Sequence, residues 1–112
     1  MYETTPHRNI TIVDETLREG MQTPGLVFSL AEKIEITKLI DAAGVSVIMT
    51  GYPPAHRSEA EAVKATALLS KQGKIRARII GHGRTVKQDI DIIAETGADI
   101  YLHFPFGFKP SD

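Results

Sequence analysis

The stretch Asp14-Glu15-Thr16-Leu17-Arg18-Glu19-Gly20-Met21-Gln22-Thr23-Pro24-Gly25 follows directly on the β-branched run Ile10-Thr11-Ile12-Val13. Four charged side chains, two glycines and a proline within these twelve residues break the apolar pattern rather than continue it. The pair of segments reads as a short strand closed by Asp14 and then a loop. A solvated surface loop would account for the crowding of charge, and so would the rim of a binding site at the end of a strand. The rest of the chain decides between them.

Beyond this stretch the sequence alternates two patterns. Ser29 opens a helix that runs to Asp41, with Glu32 three residues on to complete a capping box. Ala31, Ile34, Leu39, Ile40 and Ala43 supply its apolar stripe, and Gly44 is its stop. Val45 to Thr50 is a second strand, ended by Gly51-Tyr52-Pro53-Pro54. Ser58, paired with Glu61, opens a second helix whose apolar face uses Ala62, Val63, Ala65, Leu68 and Leu69 before Gly73. Ile75 to Ile80 is the third strand, with Gly81-His82-Gly83 as the loop after it. Thr85 and Gln88 form a third capping box ahead of Ile90, Ile92, Ile93 and Ala94, and Gly97 ends that helix. Asp99 to Phe104 is the fourth strand.

The order β-α-β-α-β-α-β makes residues 1–112 one α/β domain of four parallel strands and three helices. Two architectures share that order: an open doubly wound sheet, and part of a (β/α)8 barrel, which takes about 250 residues when complete. A half-barrel would leave its first and fourth strands as edges and expose an apolar inner face, both of which invite association.

Composition narrows the function. The chain carries 13 Lys+Arg against 14 Asp+Glu, so nothing electrostatic argues for nucleic acid or an anionic membrane as partner. It has no cysteine, which removes disulfides, thiolate metal sites and a Cys nucleophile. No apolar run is long enough for a bilayer, and the segment Met1 to Asn9 lacks the apolar centre of a secretory signal, so a cytoplasmic protein is expected.

In either architecture ligands bind at the carboxyl ends of the strands. Asp14, Arg18, Glu19 and Gln22 follow strand one, Tyr52 and His56 strand two, His82 and Arg84 strand three, and His103, Lys109 and Asp112 belong to strand four or follow it. Carboxylate oxygens with imidazole nitrogens suit Mg²⁺ or Mn²⁺, or Zn²⁺ where nitrogen dominates. A guanidinium beside a metal can hold negative charge developing on an enolate or carboxylate oxygen. The blander readings are that Asp14 braces its own turn and that Arg18 and Glu15 are a solvated pair. His7 and His56 read as surface residues. No glycine-rich phosphate loop is present, which leaves a receiver- or flavodoxin-like module without its usual chemistry.

The run Asp14-Glu15-Thr16-Leu17-Arg18-Glu19-Gly20, with Gln22, resembles the first-strand signature of the DRE-TIM metallolyases, Asp-x-Thr-Leu-Arg-Asp/Glu-Gly-x-Gln. That superfamily includes homocitrate, isopropylmalate and citramalate synthases and hydroxymethylglutaryl-CoA lyase. Glu19 is closer to the homocitrate synthase form, and Pro24-Gly25 is similar to the isopropylmalate synthase form. Gly44-Val45, Tyr52-Pro53 and Ile79 to Arg84 extend the likeness along the chain. The resemblance implies the first half of a (β/α)8 barrel. It also implies a divalent cation (Mg²⁺, Mn²⁺ or Zn²⁺) and aldol- or Claisen-type chemistry on a 2-oxo acid with acetyl-CoA, or a related cleavage, in amino-acid biosynthesis.

Carried over by position, Arg18 is the catalytic residue, Glu19 a metal ligand, and Gln22, His82 and Arg84 bind substrate; Asp14 braces the loop. The sequence departs from the family at two points. Met49 stands in Ile48-Met49-Thr50-Gly51 where a Glu is usual, and it cannot act as a carboxylate. The late-strand His-x-His metal pair is absent. The chain is therefore expected to carry one metal ligand and to be inactive alone, with homo-oligomerisation expected. The rival reading is a non-catalytic half-barrel that associates with itself or with a partner.

Overall fold

A computed structural model describes residues 10–20, 25 and 27–104. Its strands are β1 (Val13–Asp14), β2 (Val47–Met49), β3 (Arg78–Arg84) and β4 (Ile100–Phe104). The helices are α1 (Thr16–Gly20), α2 (Leu30–Ala42), α3 (Arg57–Lys71) and α4 (Lys87–Thr96), with a 3-10 turn at Pro53–Ala55. The strands pair in parallel in the order β1-β2-β3-β4. A doubly wound sheet reverses its strand order at a switch point. This one does not reverse, and its consecutive order is that of a (β/α) barrel, in which eight such units close the ring.

The local signals for α2 hold. The Ser29 hydroxyl accepts from Glu32 N and the Glu32 carboxylate accepts from Ser29 N, so both halves of the capping box are present. Gly97 ends α4 in the left-handed region at φ 78°, which a side chain would resist. The cap of α3 differs from expectation: the helix starts at Arg57, and the His56 ring accepts from Ser58 N. In α4 the N-cap position is Val86.

Alternation divides the sheet into two faces. Ile48 and Ile79, which are register partners, join Val63 and Ala67 of α3 with Ile75 and Ala77 in the helix-covered core. Val47, Met49 and Ile80, with Ile100, cluster on the opposite face. Met49 is fully buried there.

Three expectations are corrected. The first strand is Val13–Asp14, not Ile10–Val13, because β2 begins at Val47 and only Val13 and Asp14 find ladder partners; Ile10 is 81% exposed. A short helix, α1, occupies what read as loop. Gly81-His82-Gly83 is not a loop but the centre of β3, paired with Tyr101, Leu102 and His103. These glycines exist for packing: a Cβ on Gly81 would sit 2.4 Å from Ile93 Cγ2, and one on Gly83 2.6 Å from Ile93 Cδ1. Two side chains are removed so that α4 can lie on the strand.

The helix stripes hold in part: Ala62 and Val63 are buried and Ile40 and Leu69 pack on the core as expected, but other positions differ. α2 buries Lys33 and Thr37 and exposes Leu39; α3 buries Glu59 and Thr66 and exposes Leu68. The buried polar groups are satisfied by one another: Lys33 by Glu59, and Thr66 by Thr50 at 2.8 Å.

Candidate functional site

The upper rim, at the carboxyl ends of the strands, is assembled from the first turn outward. Asp14 accepts from Thr16 N (2.9 Å) and from Thr16 Oγ1 (3.1 Å), which starts α1 immediately after β1. Leu17 is fully buried and anchors that turn against the sheet. Its neighbour Arg18 is thereby carried over the end of β2, where Cζ lies 4.8 Å from the centroid of the Tyr52 ring. Arg18 Nε is buried and makes no hydrogen bond among the described residues.

Tyr52 also meets His82, ring edge to ring face, with centroids 5.1 Å apart and planes at 85°. His82 shares the face of Ile80 because the two are separated by two positions on β3. It is 4% exposed, and its pKa lies below the ordinary histidine value, first because burial penalises the imidazolium and second because Arg18 is near; Glu15 opposes. Both effects favour the neutral imidazole over the imidazolium.

Arg84 ends β3. Its Nε donates to Asp89 Oδ2 (2.9 Å) and its Nη2 to Asp89 Oδ1 (3.2 Å), and the Arg84 amide reaches Oδ2 as well. Asp89, in the first turn of α4, is held below the usual carboxylate range mainly by these bonds, and the Arg84 pKa is raised by the same contact with a contribution from the Tyr52 side chain. Half of the Arg84 side chain stays exposed. Tyr101 Oη donates to the Arg84 carbonyl.

The residue that unites these groups is Tyr52, which sequence reasoning placed at the rim without giving it a role. Its amide donates to Glu59 Oε1 (3.0 Å), and Glu59 Oε2 lies 2.5 Å from Lys33 Nζ. Lys33 and Glu59 carry no local sequence signal that marks them as buried.

Of the five site residues expected from sequence, Arg18 and His82 come together on one ring, with Arg84 adjoining. Glu19 is exposed on α1. Gln22 lies outside the described residues. Among the described residues no three His, Asp or Glu side chains gather as a cation site, so Glu19 stands as a single carboxylate. No helix among them is long and apolar enough to cross a membrane.

Comparison with known proteins gives the family. A family model described as HMGL-like matches residues 9–104. The chain is 43% identical over 90 residues to a homocitrate synthase of Saccharolobus islandicus (strain M.14.25 / Kamchatka #1) and to one of Saccharolobus solfataricus, covering 80% of this chain and 20% of each relative. It is 41% identical over 90 residues to a homocitrate synthase of Sulfurisphaera tokodaii, with the same coverage. The chain thus spans about a fifth of the length of the curated relatives it matches.

Proposed function

This chain belongs to the HMGL-like family, and we propose that its upper rim binds a 2-oxo acid as part of a divalent-metal-dependent site for aldol- or Claisen-type carbon–carbon chemistry with an acyl-CoA. The observation that carries this reading is the convergence of Arg18 and His82 on Tyr52 at the ends of β1, β2 and β3. The relatives named homocitrate synthase support it.

Arg18 brings a partly buried guanidinium to the rim, where its donors stabilise an oxygen on which negative charge develops. His82, whose burial favours the neutral imidazole, is assigned to offer a ring N–H to the substrate carboxylate or carbonyl region. Arg84, oriented by Asp89, adds a second positive group for a carboxylate. Gln22 is assigned to the same substrate. Glu19 is assigned as one ligand of Mg²⁺, Mn²⁺ or Zn²⁺, whose chemistry when bound is to polarise the 2-oxo carbonyl. One carboxylate does not make a cation site, so the chemistry assigned to this chain rests on its guanidinium and imidazole groups.

The test is titration of the purified chain with pyruvate and 2-oxoglutarate, followed by NMR of the Arg18 and His82 side chains. Saturable shifts that disappear in Arg18→Ala are expected; no shift with either acid defeats the reading. The chain alone is expected to show no turnover, and acetyl-CoA-dependent condensation abolished by Arg18→Ala would contradict that. A second reading, self-association without catalysis, is favoured by the exposed Ile10, Ile12 and Val13 at the β1 edge. It requires a stable dimer in sedimentation, and a folded monomer at micromolar concentration rules it out.

A further inference from the structure

Directly beneath the proposed site lies a charged pair that its chemistry does not use. Lys33 on α2 and Glu59 on α3 are 2% and 7% exposed. Burying two full charges is costly, and a well-packed apolar pair of similar volume is often as stabilising or more so. Stability alone does not account for them.

The hydrogen bonds supply another role. Glu59 serves two donors with two different oxygens: Oε2 takes Lys33 Nζ and Oε1 takes Tyr52 N. Tyr52 stands between the end of β2 and the 3-10 turn, outside the strand ladder, so this is what ties its amide down. The approach is built in. A Cβ on Gly51 would lie 3.1 Å from the Glu59 carbonyl and 3.3 Å from Glu59 Oε1, so the residue before Tyr52 has no side chain there.

We propose that Lys33 and Glu59 are positioning residues for the 2-oxo acid site. Lys33 orients the Glu59 carboxylate, Glu59 holds the Tyr52 backbone, and the ring so placed keeps its contacts with both Arg18 and His82. The mention of a 2-oxo acid rests on the function proposed above; the positioning itself does not.

A glutamine at position 59 has one acceptor oxygen for two donors. In Glu59→Gln the charged Lys33 captures that oxygen and turns the amide NH2 toward Tyr52 N, donor against donor. Removing the competitor in Lys33→Met/Glu59→Gln returns the oxygen to Tyr52. NMR cross-peaks between the Tyr52 and His82 rings are therefore expected in the wild-type chain, lost in Glu59→Gln and regained in the double variant. Pyruvate affinity should follow, roughly tenfold weaker in the single variant and recovered in the double.

A merely structural pair would not show this reversal. Cross-peaks that survive in a folded Glu59→Gln overturn the proposal, as does a double variant that folds without regaining them. If Glu59→Gln does not fold, the double variant decides: folded with cross-peaks it supports positioning, and folded without them, or unfolded, it overturns it. A wild-type chain that follows the expected cross-peak pattern but does not bind pyruvate defeats only the ligand assignment.

Discussion

The lower rim of the sheet and the Tyr52 cluster at its upper rim use their polar side chains in opposite ways. At the lower rim, where β3 begins, Asp41 Oδ1 accepts from the amides of Arg76 (2.9 Å) and Ala77 (2.8 Å), Ser70 Oγ donates to the Ala77 carbonyl, and Asp99 Oδ2 accepts from Ile79 N. Each of these groups ties main chain to a neighbouring element. At the upper rim, Arg18, Tyr52 and His82 meet through ring faces, and Arg18 Nε makes no hydrogen bond among the described residues. The lower rim consumes its hydrogen-bonding capacity in holding the fold. The upper rim has holding bonds of its own, Asp14 to Thr16 and Arg84 to Asp89, but around Tyr52 it keeps the Arg18 Nε donor available and places the holding groups one layer down, in Lys33 and Glu59. That is the division expected of (β/α) barrels, with stability at one end and chemistry at the other.

The contrast can be broken most forcefully beneath the upper rim. Lys33→Met leaves the Glu59 carboxylate buried without its counter-charge, and urea unfolding should show a loss of about 3–5 kcal/mol. Next comes the lower rim, where Asp41→Ala removes the acceptor of two main-chain amides; the same measurement should show about 2–3 kcal/mol. If Asp41→Ala were neutral, the lower rim would not be the structural end.

Two acid-side windows sharpen the comparison further. The pKa of His82 is lowered on folding, so its contribution to stability is complete above the unfolded value of about 6.5 and is lost as pH falls through the folded value. The pKa of Asp89 is also lowered, so its contribution is complete above about 3.9 and lost as pH falls further. Stability measured against pH should therefore decline in two stages, with the first absent in His82→Asn and the second reduced in Asp89→Asn. The smallest effect belongs to Arg18→Ala, which should cost about 0.5–1 kcal/mol of stability through its lost contact with the Tyr52 ring while removing 2-oxo acid binding.

Much of this fold can be read from local signals. The Ser29 and Glu32 box and the glycine that ends α4 are short-range devices, and they stand as the sequence implies. The errors come from residues whose reason is a distant contact. Gly81 and Gly83 read as loop residues because glycine usually breaks strands, yet here they make room for Ile93. Leu39 and Leu68 read as core because hydropathy ignores pairing; Lys33 is inside only because Glu59, 26 residues away, is there to meet it. The site divides in the same way. Arg18 is recognisable by residue type and by its position after β1, and His82 by residue type, although it lies within β3 rather than after it. Tyr52's part depends on two neighbours and a backbone anchor, none of them adjacent to it in sequence.

β3 carries a consequence for how this chain can vary. One side of the strand has been pared to hydrogen at Gly81 and Gly83 so that a helix can rest on it, and the other carries Ile80 and His82 into enclosed positions. Neighbouring positions therefore answer to opposite demands, one tolerating no added volume and the next no removed volume. Acceptable substitutions along Ile80-Gly81-His82-Gly83 should rise and fall with a period of two. A shift of register by a single residue would violate every one of those demands at once.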